Sequence, residues 1–329
     1  MKRAGLVDLN STTTGETRMP LFTIIVPCID QVSEFETTLA SVLRHRPDDC
    51  QVVATHAGFY RDPYGLAATN EIQLARAAGT DFANLLTAAL SVSRGQWIIW
   101  LYPGSQLCKV DWTAMVAPFS SIDVGAVAPV ITSSDASVLL DGVAFDAFQG
   151  IGRPLSATDT RAHSSIHAWG PTILAGAFRH DALRCLDFTQ FISGESYWDV
   201  ECACALNLLG YRSIAVPEWR IQSTQVIPSL IRFRQPHGAI ACRLARRYTD
   251  RVSHWRHLVG DVASTLRAPW RLAHAWQRLS SMRPLPADDE YRQQMERLKE
   301  MRQNVNSRPA DGVSRDAHDS WDVPRRRAA

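Results

Sequence analysis

The sequence lacks an apolar run long enough to cross a membrane. A bilayer-spanning helix needs about 20 consecutive apolar residues, and no stretch of these 329 residues approaches that length. The first 19 residues are polar, rich in Thr, Ser and Gly, and contain no apolar core of a secretory signal. We therefore expect residues 1–20 to be a flexible leader and the protein to be cytoplasmic.

Cysteine and glycine patterns that mark other classes of protein are also missing. The seven cysteines are scattered, and only Cys202 and Cys204 lie close together, so neither a zinc site nor a disulfide framework is supported. No GxGxxG motif follows the first predicted strand, where Pro27-Cys28-Ile29-Asp30 stands instead. This argues against a dinucleotide-dependent oxidoreductase.

The small net charge of +2 conceals an uneven distribution. Residues 229–286 contain 11 Arg against two Asp, a net charge of +9, and residues 287–329 balance nine basic with nine acidic residues. We expect a basic amphipathic helical extension over 229–286, followed over 287–329 by a short charged helix and a disordered tail. The extension either packs on the preceding domain or, through 238–283 with its Trp and Arg residues, contacts an anionic membrane. No recognition motif accompanies the charge, so we expect no nucleic-acid partner.

Strand and helix patterns alternate through the first two thirds of the chain. Apolar runs predict strands at 22–27, 51–54, 97–101, 124–130, 171–178 and 211–216, and helical periodicity predicts helices at 32–44, 81–93, 111–117, 179–186 and 198–209. The weakly periodic stretch 145–169 is predicted to be a loop with room for a hairpin. The alternation predicts an α/β domain over 21–228, with a mostly parallel sheet and helices on both faces. Ligands of such sheets bind beyond the carboxyl ends of the strands, which places 27–30, 55–58 and 102–105 at one edge.

Several motifs occur in an order that is typical of one family. Ile24–Asp30 is a strand, a proline and a turn, and the helix that follows contains Leu39–Leu43. Thr172–Leu183 combines a small-residue strand with the start of a helix, and Trp198–Glu201 stands nine residues before Gly210–Arg212. From Leu21 to Ile221 the chain resembles the nucleotide-sugar-binding domain of family 2 glycosyltransferases, which implies a GT-A (nucleotide-diphospho-sugar transferase) fold.

The resemblance implies roles for two carboxylates. Asp199 falls where the family places its catalytic base, which deprotonates an acceptor hydroxyl as it attacks the anomeric carbon. Glu201 is the second candidate for this catalytic role. Both acids also fit a purely structural role, because the helix dipole favours acidic residues in the first turn of a helix.

The resemblance also implies a nucleotide-sugar pocket. Its lining would come from the carboxyl ends of three strands: Pro27, Cys28, Asp30, Thr55, His56, Gly58, Tyr102 and Gly104. In the family the second of these strands ends in acids that bind the nucleobase, and the third runs into an Asp-x-Asp metal site. Here those positions are Thr55–Gly58 and Tyr102–Gly104, which have no carboxylate. We therefore predict no bound metal and no cofactor.

A basic side chain could stabilise the leaving phosphate in place of a metal. The candidates are Arg94, Arg153, Arg161, His163, His167 and Arg179.

These observations leave two functions open. One is an inverting glycosyltransferase that moves a sugar from a nucleotide sugar to a hydroxyl of a polysaccharide, glycan or lipid-linked acceptor, and the retention of Asp199 favours it. The other is a non-catalytic module of the same fold that binds or scaffolds within a polysaccharide-assembly system. The loss of acids at both donor-side positions favours this second function.

Overall fold

The computed structural model describes residues 20–29, 32–140, 142–146, 152–155, 166–191, 197–224, 243–244, 247–248 and 286–306. The strands are β1 (Phe22–Cys28), β2 (Cys50–His56), β3 (Gln73–Arg76), β4 (Trp97–Leu101), β5 (Ser105–Leu107), β6 (Val124–Thr132), β7 (Val138–Leu140), β8 (Gly142–Asp146), β9 (Gly152–Leu155), β10 (Ile166–Gly170), β11 (Ala175–Arg179) and β12 (Arg212–Ser223). The helices are α1 (Val32–His45), α2 (Phe82–Val92), α3 (Trp112–Val116), α4 (His180–Arg184), α5 (Trp198–Leu208) and α6 (Pro286–Asn306). Short 3-10 turns span Ala117–Ser120 and Phe188–Gln190.

The main sheet has the strand order β3-β2-β1-β4-β11-β6-β12-β5, and β7 pairs with β6. The first four strands are parallel, as are β6 and β12, whereas β11 runs antiparallel between β4 and β6. The predicted α/β class is confirmed.

Helices cover both faces of the sheet, as predicted. Trp97 and Trp100 of β4 are three residues apart and therefore point to opposite faces. The Trp97 ring stacks on Phe119 of the 3-10 turn with centroids 4.4 Å apart. On the other face, the Trp100 ring lies 5.7 Å from Phe82 of α2 and 4.5 Å from Trp198 of α5.

Some predicted boundaries differ from the structure. The helix predicted to stop at Pro118 continues as a 3-10 turn. Pro118 is tolerated because it lies near the start of this turn, where the backbone N–H that proline lacks would have no partner within the helix. The strand predicted to close at Pro217 extends to Ser223, because a register irregularity between Val216 and Arg220 accommodates the proline. The predicted loop over 145–169 contains β9, most of β10 and the last two residues of β8, and these three strands form an antiparallel sheet.

Several expectations concern residues that the structure does not describe. The flexible leader falls outside the described residues except for Pro20, and so does the tail after 306. Of the basic extension, only 243–244, 247–248 and 286 are described. The helix predicted in the last segment is present as α6. No helix in the described part of the chain has the length and apolar character that a membrane span requires.

Candidate functional site

The carboxyl ends of β1, β2 and β3 lie side by side at one edge of the sheet. Pro27 is in register with Thr55, and Cys28 is in register with His56, which is itself opposite Arg76. The structure therefore brings together the predicted residues of the first two strands. Asp30, which was predicted to join them, lies outside the described residues.

Asp199 occupies the first turn of α5 and is 4% exposed. Its Oδ2 accepts a hydrogen bond from the backbone N–H of Ile173 at 2.9 Å, and its Oδ1 accepts one from Val200 at 2.9 Å. Two backbone donors and the positive end of the helix dipole stabilise the ionised carboxylate.

The turn after β4 lies one residue away from this carboxylate contact. Leu174, which follows Ile173, accepts at its carbonyl the N–H of Tyr102 at 2.8 Å and the hydroxyl of Ser105 at 3.0 Å. Gly104 has a φ of +85°, a conformation that favours glycine. The short Ile173–Leu174 segment thus joins Asp199 to the predicted Tyr102–Gly104 position.

The same turn is also fixed to α1 and to the end of β12. The Gly104 N–H donates to Thr38 Oγ1 at 2.9 Å, and the Gly104 carbonyl accepts from the N–H and the hydroxyl of Thr224 at 2.9 and 3.0 Å. The Tyr102 carbonyl accepts from the Ser105 N–H at 2.9 Å. These hydrogen bonds fix the conformation of the turn, and they engage the N–H and carbonyl groups of Tyr102 and Gly104.

The turn does not fit a divalent metal ion. Mg²⁺ and Mn²⁺ prefer carboxylate oxygens, and Tyr102, Pro103, Gly104 and Ser105 supply none. Over the described ranges, no three or more His, Cys, Asp or Glu residues are grouped so that they could hold a metal.

Thr55 and His56 alternate along β2 and so point to opposite faces of the sheet. Thr55 is fully buried, and its hydroxyl has no hydrogen-bond partner among the described residues. His56 is half-buried, and its Nδ1 accepts the backbone N–H of Gly58 at 3.0 Å. Gly58 has a φ of +101°, so the chain turns sharply just beyond the strand. Only His56 and Gly58 of this group therefore share an accessible surface at the edge.

Glu201 lies two residues after Asp199, also in the first turn of α5, and is fully buried. Its Oε1 accepts hydrogen bonds from Arg247 Nη1 and from the Tyr248 hydroxyl, both at 3.1 Å. The Arg247 Nε lies 3.4 Å from Asp288 Oδ1 of α6, in ion-pair contact but without hydrogen-bond geometry. This network gives Glu201 a structural role, because it joins α5 to the C-terminal part of the chain; the catalytic role of Glu201 stays a prediction.

Two of the basic candidates lie at the opposite edge of the sheet. Arg179 is in register with Trp97, the first residue of β4, and Arg94 shortly precedes that strand. The Arg179 guanidinium donates to the carbonyls of Phe119 and Ser121 at 2.7 and 3.1 Å, and desolvation by burial lowers its pKa. The side chains of the other candidates lie outside the described residues: Arg153, Arg161, His163 and His167.

A cleft of about 320 Å³ opens beside the N-terminus of α2. Its walls are mainly aromatic and are formed by Phe82, Phe188, Phe191 and Trp198, with Asp81, Ala83, Asn84 and Thr189 completing the lining. Trp198 directly precedes Asp199, and the Phe82 ring lies 6.4 Å from that of Tyr102. The volume is in the range of small-molecule pockets. The sequence patterns did not predict this cleft, although the density of aromatic residues between 188 and 198 could have indicated an aromatic-lined site.

Comparison with known proteins identifies the class of fold. No protein-family model matches the sequence, and no curated protein sequence matches it. The structure of GalNAc-T7 with UDP, GalNAc and Mn²⁺ superposes with a TM-score of 0.54 at 13% identity, over 81% of this chain and 55% of that chain. The chain therefore has the GT-A fold of nucleotide-sugar glycosyltransferases, which the motifs predicted.

A second similar structure is the mannosyltransferase PcManGT from Pyrobaculum calidifontis, in complex with GDP-Man and Mn²⁺. It has a TM-score of 0.47 at 15% identity and covers 89% of both chains. The match to GalNAc-T7 spans just over half of that protein's length and, at 13% identity, establishes the fold alone.

Proposed function

We propose that this protein transfers a sugar from a nucleotide sugar to a hydroxyl group of a glycan, polysaccharide or lipid-linked acceptor, with inversion at the anomeric carbon. The observation that carries the proposal is the position of the Asp199 carboxylate. The backbone N–H of Ile173 donates to this carboxylate, and the carbonyl of the next residue, Leu174, is hydrogen-bonded to the turn after β4. The GT-A fold and the UDP bound by GalNAc-T7 support a nucleotide sugar as donor.

Asp199 is the general base in this proposal. Its carboxylate takes the proton of the acceptor hydroxyl while the hydroxyl oxygen bonds to the anomeric carbon. The bond from that carbon to the diphosphate oxygen breaks, and the nucleoside diphosphate leaves with the bonding electrons. Attack from the side opposite the leaving group inverts the anomeric configuration. The backbone donors fix the position of the base, and proximity of this kind contributes strongly to rate.

A non-catalytic module of the same fold is the second candidate. It is favoured by the turn at Tyr102–Gly104, whose peptide groups are hydrogen-bonded and which carries no carboxylate for a metal. The near-complete burial of Asp199 also favours it, because a base must reach its substrate. Such a module would bind a nucleotide or a glycan without turnover.

An Asp199→Asn variant separates the two candidates. The substitution keeps the size of the side chain and removes its ability to accept a proton. We expect the rate of nucleoside-diphosphate release from a panel of nucleotide sugars with glycan acceptors to fall by about 100-fold or more, while nucleotide affinity in calorimetry stays within about twofold.

Absence of turnover by the wild-type protein with every donor, despite measurable nucleotide binding, would argue for the non-catalytic module. Equal turnover by the wild-type protein and the variant would instead show a transferase in which Asp199 is not the base. An Asp187→Asn variant is the matched control, because Asp187 caps the 3-10 turn at Phe188–Gln190 and is exposed.

We further propose a cytoplasmic location with peripheral contact to the inner face of a membrane through 238–283. The support is the charge of the extension, with 11 Arg against two Asp over 229–286, and its Trp residues. A lipid-linked acceptor would suit this arrangement.

A further inference from the structure

One face of the sheet edge presents a row of hydrogen-bond donors. Cys28, His56 and Arg76 stand opposite one another at the ends of β1, β2 and β3, and residues in register on neighbouring strands project to the same face. Cys28 is buried, His56 is half-buried and Arg76 is exposed, so the row runs from the core to solvent.

The protonation state of His56 follows from its backbone contact. Its Nδ1 accepts the Gly58 N–H at 3.0 Å and so carries no proton. Desolvation by burial, followed by the charge of Arg76, lowers the pKa of His56 from its ordinary value of 6.5, so the ring is neutral at pH 7. A neutral ring without a proton on Nδ1 carries it on Nε2, which is therefore a donor.

Arg76 adds a second donor group beside the ring. A Cβ atom placed on Gly58 would lie 3.3 Å from Arg76 Nη2 and 3.4 Å from Nε, so the guanidinium lies directly against the glycine. A guanidinium donates hydrogen bonds and cannot accept them. Gly58 thus provides both the turn geometry and the space that brings the two donors together.

Tyr60 lies beside His56, between the row and α1. Its ring packs edge-on against His56 with centroids 6.2 Å apart and against Phe35 at 4.8 Å. Burial, followed by the charge of Asp62, raises the pKa of Tyr60 to about 12, so the phenol keeps its proton. Its buried hydroxyl has no hydrogen-bond partner among the described residues.

These donors select among nucleobases by the state of the ring nitrogen. Uracil and guanine present a ring N–H at their pairing edge, and adenine presents one ring acceptor, N1, beside an amino donor. Cytosine presents two adjacent acceptors, N3 and O2. A ring N–H facing the Nε2–H of His56 would leave two buried donors unpaired, which is costly. Cytosine can instead accept from His56 and Arg76 at the same time. An acidic residue at this position, as in the family that the sequence resembles, would favour the opposite choice.

We propose that the row formed by Cys28, His56, Tyr60 and Arg76 is a nucleobase site that selects cytosine, so that the donor is a cytidine-diphosphate compound. This inference rests on the function proposed above and specifies its donor.

Calorimetric titration of the full-length protein with CDP, UDP, GDP and ADP tests the inference. We expect CDP to bind at least about tenfold more tightly than UDP, since one unpaired buried donor costs about that much affinity. Arg76→Gln should weaken CDP binding by about tenfold. Because Arg76 is exposed, this variant should fold normally. The matched control Arg44→Gln, at the exposed end of α1, should bind CDP as the wild type does.

A His56→Asp variant reverses the hydrogen-bonding character of the row from donor to acceptor. We expect its preference to shift from CDP towards UDP, whose N3–H can donate to the new carboxylate.

The outcomes distinguish this inference from the function on which it rests. Tighter binding of UDP, GDP or ADP than of CDP would overturn the cytosine assignment and leave the glycosyltransferase proposal standing. Equal affinity for all four, with competition by pyrophosphate, would show that the row holds phosphate groups and would also overturn it. Failure of all four nucleotides to bind would count against both proposals.

Discussion

At the residue scale, His180 has an environment that fixes one tautomer. Its Nδ1 lies 2.9 Å from the carbonyl oxygen of Gly95, so Nδ1 must carry the proton. Its Nε2 is buried and has no hydrogen-bond partner in the described part of the chain. Protonation would place a charge at this unpaired atom, and desolvation by burial lowers the pKa of His180 from its ordinary value of 6.5.

This environment makes stability depend on pH. Below pH 6.5 the unfolded state binds a proton at His180 that the folded state resists, so the free energy of unfolding falls as the pH decreases. Above pH 6.5 neither state binds the proton and the contribution is constant. We expect His180→Asn, whose amide can still donate to Gly95, to reduce the slope of unfolding free energy between pH 7 and 5 in urea titrations.

His45→Asn is the control for this prediction. His45 ends α1 and is only half-buried, so its replacement should leave the pH slope close to that of the wild type. Parallel curves for wild type and His180→Asn would show that burial of His180 does not control the acid sensitivity.

At the scale of elements, a buried charge network joins α5 to α6. Arg247 is 3% exposed and lies between the carboxylates of Glu201 and Asp288, and its guanidinium carbon lies 3.9 Å from the centre of the Tyr291 ring. The Tyr248 hydroxyl donates to Glu201 and lies 3.3 Å from the Tyr291 hydroxyl, which can donate to it in turn. Part of the basic extension thus packs on the domain, as the first of the two predicted arrangements requires.

Removal of Arg247 should be strongly destabilising. An Arg247→Met variant leaves Glu201 and Asp288 buried without their counter-ion, and breaking such a network costs about 3–5 kcal/mol. Urea unfolding of the full-length protein measures the loss.

A solvent-exposed ion pair provides the comparison. Arg212 pairs with Asp123, and both side chains are about half exposed, so Arg212→Met should cost only about 0–1 kcal/mol. If the two variants lost the same stability, the network would not be the attachment of the C-terminal part that we infer.

At the scale of the whole molecule, the uneven charge distribution predicts salt-sensitive membrane binding. Each Arg near an anionic surface contributes about 1 kcal/mol. We expect the full-length protein to co-sediment with vesicles that contain phosphatidylserine at low salt, to be released at high salt, and not to bind neutral phosphatidylcholine vesicles.

Charge-removing variants locate the contact. Replacement of Arg267, Arg271 and Arg278 by Gln should weaken vesicle binding at least about tenfold. The same change at Arg308, Arg315 and Arg325, outside 238–283, should have a smaller effect. Equal effects of the two triple variants, or binding to neutral vesicles, would exclude the proposed contact through 238–283.

The core of the fold could be predicted from the sequence because its signals are local. The runs Phe22–Pro27 and Trp97–Leu101 and the helical spacing of Phe35, Leu39 and Leu43 report burial directly, and the structure confirms these elements. The short strands β3 and β5 were missed, since four and three residues give no periodic pattern. The proximity of Pro27 and His56 was predictable from a general rule on where parallel strands end.

What the sequence alone determined is the α/β core and the placement of Asp199 at the start of a helix, because both depend on neighbours within a few residues. Tertiary structure decided the rest through contacts between distant segments. It paired Glu201 with Arg247, 46 residues away, and fixed Gly104 to Thr38, 66 residues away. It also set Arg76 beside His56 by pairing β3 with β2. No local pattern encodes such pairings, because they follow from how the whole sheet and its helices pack.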